Sequence, residues 1–170
     1  NWAGPSLNIL IDLATALLLF QLVREARGRT NEALAVCALW SMSSPVLITM
    51  SEARQYSLMA LCVVLLASVF FRYTNRSAQI GVSSFALISG VTLAGALTHY
   101  HFVLASMGAI AFAAIRLRKN YHRLLLLVIC IVIGYIIFAA LHPRFYLSFL
   151  TQQQGVQGGP LDMIVRLKIV

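Results

Sequence analysis

Six long apolar runs constrain this chain more than any other feature of its sequence. The clearest run is residues 124–141, in which twelve of 18 residues are leucine, isoleucine or valine and none is charged. An α-helix rises 1.5 Å per residue, so about 20 residues cross a hydrocarbon core about 30 Å thick. Of the 170 residues, 60% are hydrophobic and 11% are charged, whereas about 25% are charged in soluble domains. The sequence therefore predicts an all-α, polytopic helical membrane protein and excludes soluble enzymes, disordered tails and disulfide-stapled secreted domains.

The predicted architecture is a bundle of about six transmembrane helices within residues 1–150. We expect a bend at Pro45 in the second span, and the fifth span is the shortest. Residues 151–170 are expected to form an extracytoplasmic loop and the start of a further segment. Within them, the polar stretch 152–160 favours a linker, with a loop that covers the substrate as the alternative. The predicted spans are residues 5–23, 33–51, 55–71, 77–98, 102–115 and 124–141.

The basic residues alternate between loops in the way that sets membrane orientation. The loops after the first, third and fifth spans hold most of the 13 lysines and arginines, whereas the second loop has only Arg54 and the fourth has none. Lysine and arginine are in excess in cytoplasmic loops, so the N-terminus and the even-numbered loops are expected on the outer side. The net charge of +8 reflects this topology. Nucleic-acid binding is not predicted, because the basic residues are not gathered on one polar and aromatic face.

Reactive side chains gather in the three predicted outer loops, although topology alone does not require them there. Two interpretations stay open for Glu52 and Arg54 of the second loop. Either they form an ion pair at a helix end, or Glu52 serves as an acid and Arg54 as a phosphate-binding cation at the mouth of an outward-facing cavity. The side chains concerned are Glu52, Arg54, Tyr56, His99, His101, His142 and Arg144.

Metal binding by the histidine pair depends on the local backbone. Positions two apart do not share a face of a helix, so His99 and His101 could chelate a metal together only if the backbone between them were not helical. A solvated helix turn is one alternative, and a divalent metal held between a histidine and Glu52 from different loops is another. No cofactor or metal site is therefore assigned. Asp12 lies inside the first span, where acidic residues are functional candidates by default, but the sequence identifies no partner for it.

One segment resembles a known family of membrane enzymes. The run SPVLITMSEARQYSL, residues 44–58, resembles the segment s-P-x-x-x-x-x-s-x-E-a-R-x-Y-x-l of bacterial GT-C glycosyltransferases of the family 39 / RgtA-like type. These enzymes are related to protein mannosyltransferases and to the aminoarabinose transferase that acts on lipid A. Residues 98–101 are similar to the family's l-t-H-y segment, and the arginine-containing loop 24–29 precedes the motif span as it does in the family. The resemblance covers about residues 5–150.

The resemblance implies a partial GT-C bundle in a bacterial plasma membrane. Its activity would be transfer of a sugar from a polyprenyl-phosphate-linked donor to an acceptor on the extracytoplasmic face. Membrane lipids and the donor are the implied partners. The family's catalytic base lies in an outer loop that is expected before residue 1, so we expect this piece alone to be inactive. Within this interpretation Glu52 is the candidate second acidic residue and His99 is a candidate catalytic residue. Arg54, Tyr56, His101 and Arg144 are the candidate substrate-binding residues, with Arg54 expected to bind the phosphate because guanidinium makes bidentate, charge-assisted contacts.

Two other classes of function stay open. A transporter or lipid flippase segment would use its polar residues to line a path, and such proteins commonly carry paired repeats and broken helices at mid-membrane. The chain shows no convincing internal repeat, and its polar residues gather at one face of the membrane. A non-catalytic membrane assembly protein is the third class, in which the motif would be an interface. The sugar, the acceptor and the oligomeric state are not predicted.

Overall fold

The computed structural model describes residues 3–43, 56–75 and 81–142. These residues form six α-helices and no β-strand. Three of the helices, α1, α3 and α6, are long and apolar enough to cross a membrane, and α4 and α5 are shorter apolar helices. The predicted all-α fold of a helical membrane protein is confirmed. The helices are α1 (Ala3–Arg27), α2 (Thr30–Ser41), α3 (Tyr56–Asn75), α4 (Val82–Thr98), α5 (Phe102–Arg116) and α6 (Tyr121–Leu141).

The chain divides into two compact units, residues 1–135 and residues 136–170. The first unit contains α1 to α5 and most of α6. In the second unit the described residues are 136–142, which complete α6. There the ring of His142 stacks on that of Phe138, with the ring centroids 6.1 Å apart.

The helices of the first unit run alternately up and down. Asp12 of α1 contacts Ser57 near the start of α3, and Glu25 near the end of α1 contacts Arg72 near the end of α3, so these two helices are parallel. The connecting helix α2 packs against α1, where Cys37 Sγ donates to the Ala16 carbonyl, and runs in the opposite direction.

Contacts between later helices extend the same pattern. Tyr56 meets His99 at one end of the α3–α4 pair, and Tyr73 meets Ser84 at the other, so α3 and α4 are antiparallel. Two ends of the bundle result. The histidine end holds Tyr56 and residues 99–101, and the arginine end holds residues 24–29, 72–75 and 116–123.

The described helices place apolar side chains outward and small polar ones inward. Leu10 is 63% exposed and Ile115 is 73% exposed, which costs nothing when the surroundings are lipid tails. The buried hydroxyls are satisfied locally: Ser68 and Thr92 each donate to the carbonyl four residues earlier, at 2.7 and 2.8 Å. Without a hydrophobic force between helices in lipid, small residues and such hydrogen-bonded hydroxyls allow close helix packing. This distribution is typical of a protein folded within a membrane.

Helices α4 and α6 approach each other closely at a glycine. A Cβ atom at Gly134 would lie 2.7 Å from Thr92 Cβ and 2.8 Å from the Ser89 carbonyl oxygen, so no larger residue fits there without movement of the backbone. One turn away, Ser89 Oγ donates to the carbonyl of Cys130 across the same interface, at 2.9 Å. The close approach and the interhelical hydrogen bond together fix the register of α6 against α4.

The structure differs from the sequence prediction in the length of the second helix. The predicted second span runs over residues 33–51, but α2 ends at Ser41, and the N–H of Met42 closes its last turn on the Ala38 carbonyl. Pro45 supplies the physical reason. Proline has no N–H to donate to the carbonyl four residues earlier, and its ring clashes with that carbonyl, here the carbonyl of Ser41. The bend expected at Pro45 itself lies outside the described residues.

Candidate functional site

Four aromatic rings form a cluster at the histidine end of the bundle. Tyr56, the first residue of α3, faces His99 with ring centroids 5.6 Å apart. His99 stacks on Tyr100 and on His101 with centroids 4.7 Å apart in each pair. This ring cluster joins the end of the motif-bearing segment to the α4–α5 turn, which lies more than 40 residues later in the chain.

A buried phenylalanine anchors the turn that carries the histidines. Phe102 begins α5, is fully buried, and packs so tightly on α4 that a Cβ atom at Gly95 would lie 2.5 Å from its ring. The N–H of Phe102 donates to the His99 carbonyl at 3.0 Å, and the N–H of His99 donates to the Gly95 carbonyl at 3.1 Å. These contacts hold the α4–α5 turn rigidly against the bundle.

The backbone at His99 is extended, with φ −161° and ψ 132°. The two histidine rings are therefore not separated by helical geometry, and their Nδ1 atoms lie 3.0 Å apart. The backbone N–H of His101 also donates to His99 Nδ1, at 3.2 Å. A ring nitrogen that accepts hydrogen bonds carries no proton, so these bonds assign the proton of neutral His99 to Nε2. The Nε2–H of His99 is then a donor.

A buried carboxylate lies beneath the same end of the bundle. Asp12 is 3% exposed and Ser57 is 2% exposed, and Ser57 Oγ donates to Asp12 Oδ2 at 3.3 Å. Asp12 Oδ1 is buried and has no hydrogen-bond partner among the residues that the structure describes. A charged group that is buried in a membrane bundle with an unsatisfied oxygen is costly, so such groups are typical of functional sites.

The structure brings together only part of the predicted site. Tyr56, His99 and His101 meet in the ring cluster, whereas Glu52, Arg54 and Arg144 lie outside the described residues. Their assigned roles stay predictions. Within residues 3–43, 56–75 and 81–142, no three histidine, cysteine, aspartate or glutamate side chains are placed to hold a metal ion together.

Sequence reasoning missed Ser57 altogether. It follows Tyr56 directly in the motif segment, so its position next to the motif was a usable signal. Its role depends on a contact with α1, however, and no local sequence pattern predicts that contact. Chemically, the described part of the site combines an imidazole N–H donor and phenol rings at the histidine end with a buried carboxylate acceptor on α1. Such a set is suited to a ligand that bears both an anion and hydroxyl groups.

No family model, curated protein or solved structure matches the chain.

Proposed function

We propose that this chain forms part of a membrane glycosyltransferase of the GT-C type. It would transfer a sugar from a polyprenyl-phosphate-linked donor to an acceptor on the extracytoplasmic face of a bacterial plasma membrane. A donor of this kind keeps its tail in the bilayer and its phosphate at the membrane interface. An all-α membrane bundle can contact the tail with its helices and the phosphate with side chains at one of its ends. The histidine end is the face that we assign to the reaction.

The contact between Tyr56 and His99 carries the proposal. The two segments that resemble the family, residues 44–58 and 98–101, are far apart in the chain, yet their described residues meet at one end of the bundle with ring centroids 5.6 Å apart. Beneath them the buried Asp12 and Ser57 form a polar pair. Convergence of this kind is expected if the two segments serve one site.

The proposed reaction is a displacement at the anomeric carbon. The acceptor oxygen forms the new bond to that carbon while the bond from the carbon to the donor phosphate oxygen breaks. The acceptor's proton passes to a carboxylate, and the polyprenyl phosphate leaves with the bonding electron pair. Arg54 binds the phosphate, because guanidinium makes charge-assisted, bidentate contacts with such anions. Glu52 is assigned as the second acidic residue of the site, and His99 is assigned as a donor that contacts the substrate.

Sugar transfer by variants of the full-length protein tests this function. We expect Glu52→Gln and Arg54→Ala each to lower the rate of transfer at least about tenfold, which corresponds to about 1.4 kcal/mol. Lys119→Gln is the control, because Lys119 is an exposed cation at the arginine end and its loss should leave transfer unchanged. The readout is the labelled sugar moved from a polyprenyl-phosphate donor to membrane acceptors. Wild-type rates in folded Glu52→Gln and Arg54→Ala proteins would remove the proposed roles.

A further inference from the structure

An apolar cleft opens between four helices of the first unit. Its volume of about 760 Å³ is within the range of about 300–1,000 Å³ for ligand pockets. The cleft is lined by α1, α2, α3 and α5, and apart from Arg27 and Glu32 all of its lining residues are apolar. On α3 the lining runs from Val63 to Phe71. At 1.5 Å per residue this is about 12 Å, close to half of the 30 Å hydrocarbon core. The cleft therefore has the depth of about one membrane leaflet.

A polar hollow adjoins this cleft at the arginine end. The hollow has a volume of about 280 Å³ and shares two lining residues, Ala26 and Phe71, with the cleft. Its polar lining consists of Glu25, Arg72, Asn75 and Arg116. An apolar space of leaflet depth that continues into a polar space at the membrane surface has the shape of a lipid with its headgroup.

The charges in the hollow fit a headgroup with one negative charge. Glu25 accepts two hydrogen bonds from Arg72, from Nη2 to Oε1 at 2.7 Å and from Nε to Oε2 at 3.1 Å, so this pair is internally neutralised. Arg116 donates only to the neutral amide oxygen of Asn75 and has no acidic partner among the described residues. Among the described residues that line the hollow, one net positive charge remains, which a single phosphodiester would balance.

The position of the hollow also indicates which leaflet supplies the lipid. All lysines and arginines in the described part of the chain lie at the arginine end, and basic pockets between transmembrane helices bind anionic headgroups. The cleft extends from this end towards the middle of the bundle, so its occupant enters from the leaflet on this side. The ring cluster lies at the opposite end, and this site does not depend on the proposed transfer reaction.

We propose that this cleft and hollow bind one anionic glycerophospholipid. Its phosphodiester contacts Arg116 in the hollow, and one acyl chain fills the cleft between α1, α2, α3 and α5. The site is distinct from the proposed donor site in position, in ligand and in the leaflet that it faces.

Native mass spectrometry of the purified full-length protein tests this site. The detergent-solubilised protein is titrated with phosphatidylglycerol or with phosphatidylcholine that carries the same acyl chains. We expect the wild type to bind phosphatidylglycerol about tenfold more tightly, since only that lipid has a net charge to balance Arg116. Arg116→Gln should abolish this preference. Arg118→Gln, which removes an exposed charge outside the hollow, should retain it.

A second pair of variants tests the cleft independently of charge. An added Cβ atom meets nothing within 4 Å at either Gly108 or Gly90, but only Gly108 lines the cleft. Gly108→Leu should weaken the binding of both lipids about tenfold by filling the space, and Gly90→Leu should not. If Gly108→Leu loses helical content, Ala67→Leu, which lines the cleft from α3, takes its place.

Three results would overturn the proposal. One is equal binding of the two lipids by the wild type. Another is wild-type binding by a folded cleft-filling variant. The third is the absence of lipid binding by the full chain, which would mean that another segment occupies the cleft.

Discussion

At the residue scale, Asp12 is the side chain whose burial is hardest to explain without a function. An ionised carboxylate costs about 2.5–3.5 kcal/mol at mid-membrane, and among the residues that the structure describes Ser57 satisfies only one of the two Asp12 oxygens. In Asp12→Asn the buried charge is replaced by an amide whose unpaired donors cost about 1–3 kcal/mol. We expect the free energy of unfolding of this variant to be equal to or higher than that of the wild type. If Asp12 serves the proposed site, sugar transfer should nevertheless fall at least about tenfold.

The matched control for this residue is one turn away on the same helix. Thr15 is fully buried, and its hydroxyl donates to the Ile11 carbonyl at 2.8 Å. Thr15→Val should leave transfer unchanged. Denaturant unfolding and the transfer assay together decide between the two roles of Asp12. A purely structural role would appear as a lower unfolding free energy in Asp12→Asn with transfer intact.

Asp12 also shows which features of the candidate site the sequence predicts and which it does not. The position of Asp12 inside an apolar run identified it as unusual, and the predicted topology grouped Tyr56 with His99 and His101. The partner of Asp12 could not be predicted. Ser57 meets it only because α1 and α3 lie parallel, with the whole of α2 between them in the chain. The relative register of parallel helices depends on side-chain packing, which leaves no periodic signal in either helix alone.

At the element scale, the α4–α6 interface is the contact most sensitive to a single methyl group. Gly134→Ala places a Cβ atom 2.7 Å from Thr92 and 2.8 Å from the backbone oxygen of Ser89. Since a backbone atom cannot swing aside like a side-chain tip, the helices must separate, and we expect a loss of about 1–3 kcal/mol of stability. Thermal unfolding of the purified protein measures this loss. Gly90→Ala on α4 is the control, because its Cβ meets nothing within 4 Å; an equal loss in both variants would contradict tight packing at Gly134.

Helix boundaries show why apolar runs predict helices better than they predict helix ends. The run that predicts the first span stops at residue 23, but α1 continues to Arg27, and Arg24 and Arg27 fill its last turn. Cations there are favourable to the negative end of the helix dipole and lie outside the hydrocarbon. The apolar run therefore indicates which residues are suited to the hydrocarbon core, whereas backbone hydrogen bonds determine where the helix begins and ends. The early end of α2 before Pro45 is the opposite case, in which the apolar run outlasts the helix.

At the scale of the whole molecule, the alternating charge of the loops corresponds to the two ends of the bundle. Residues as far apart as Arg24, Arg72 and Arg116 lie at one end because each successive helix reverses direction. This part of the architecture was accessible from the sequence, since each predicted span returns the chain to the other end of the bundle. The apolar cleft was not accessible, because its volume depends on which small side chains of four helices face one another.

Cysteine labelling in intact bacterial cells tests the orientation of these two ends. The parent protein has its three free cysteines, Cys37, Cys62 and Cys130, replaced by alanine. Tyr100→Cys or Lys119→Cys then adds a single exposed thiol at the histidine end or the arginine end, respectively. Lysine and arginine are retained on the cytoplasmic side, so a membrane-impermeant maleimide should label Tyr100→Cys in intact cells. Lys119→Cys should react only after permeabilisation. The reverse pattern would place the ring cluster on the cytoplasmic side and contradict an extracytoplasmic site. Labelling of both thiols in intact cells would contradict the placement of the two ends on opposite sides of the membrane.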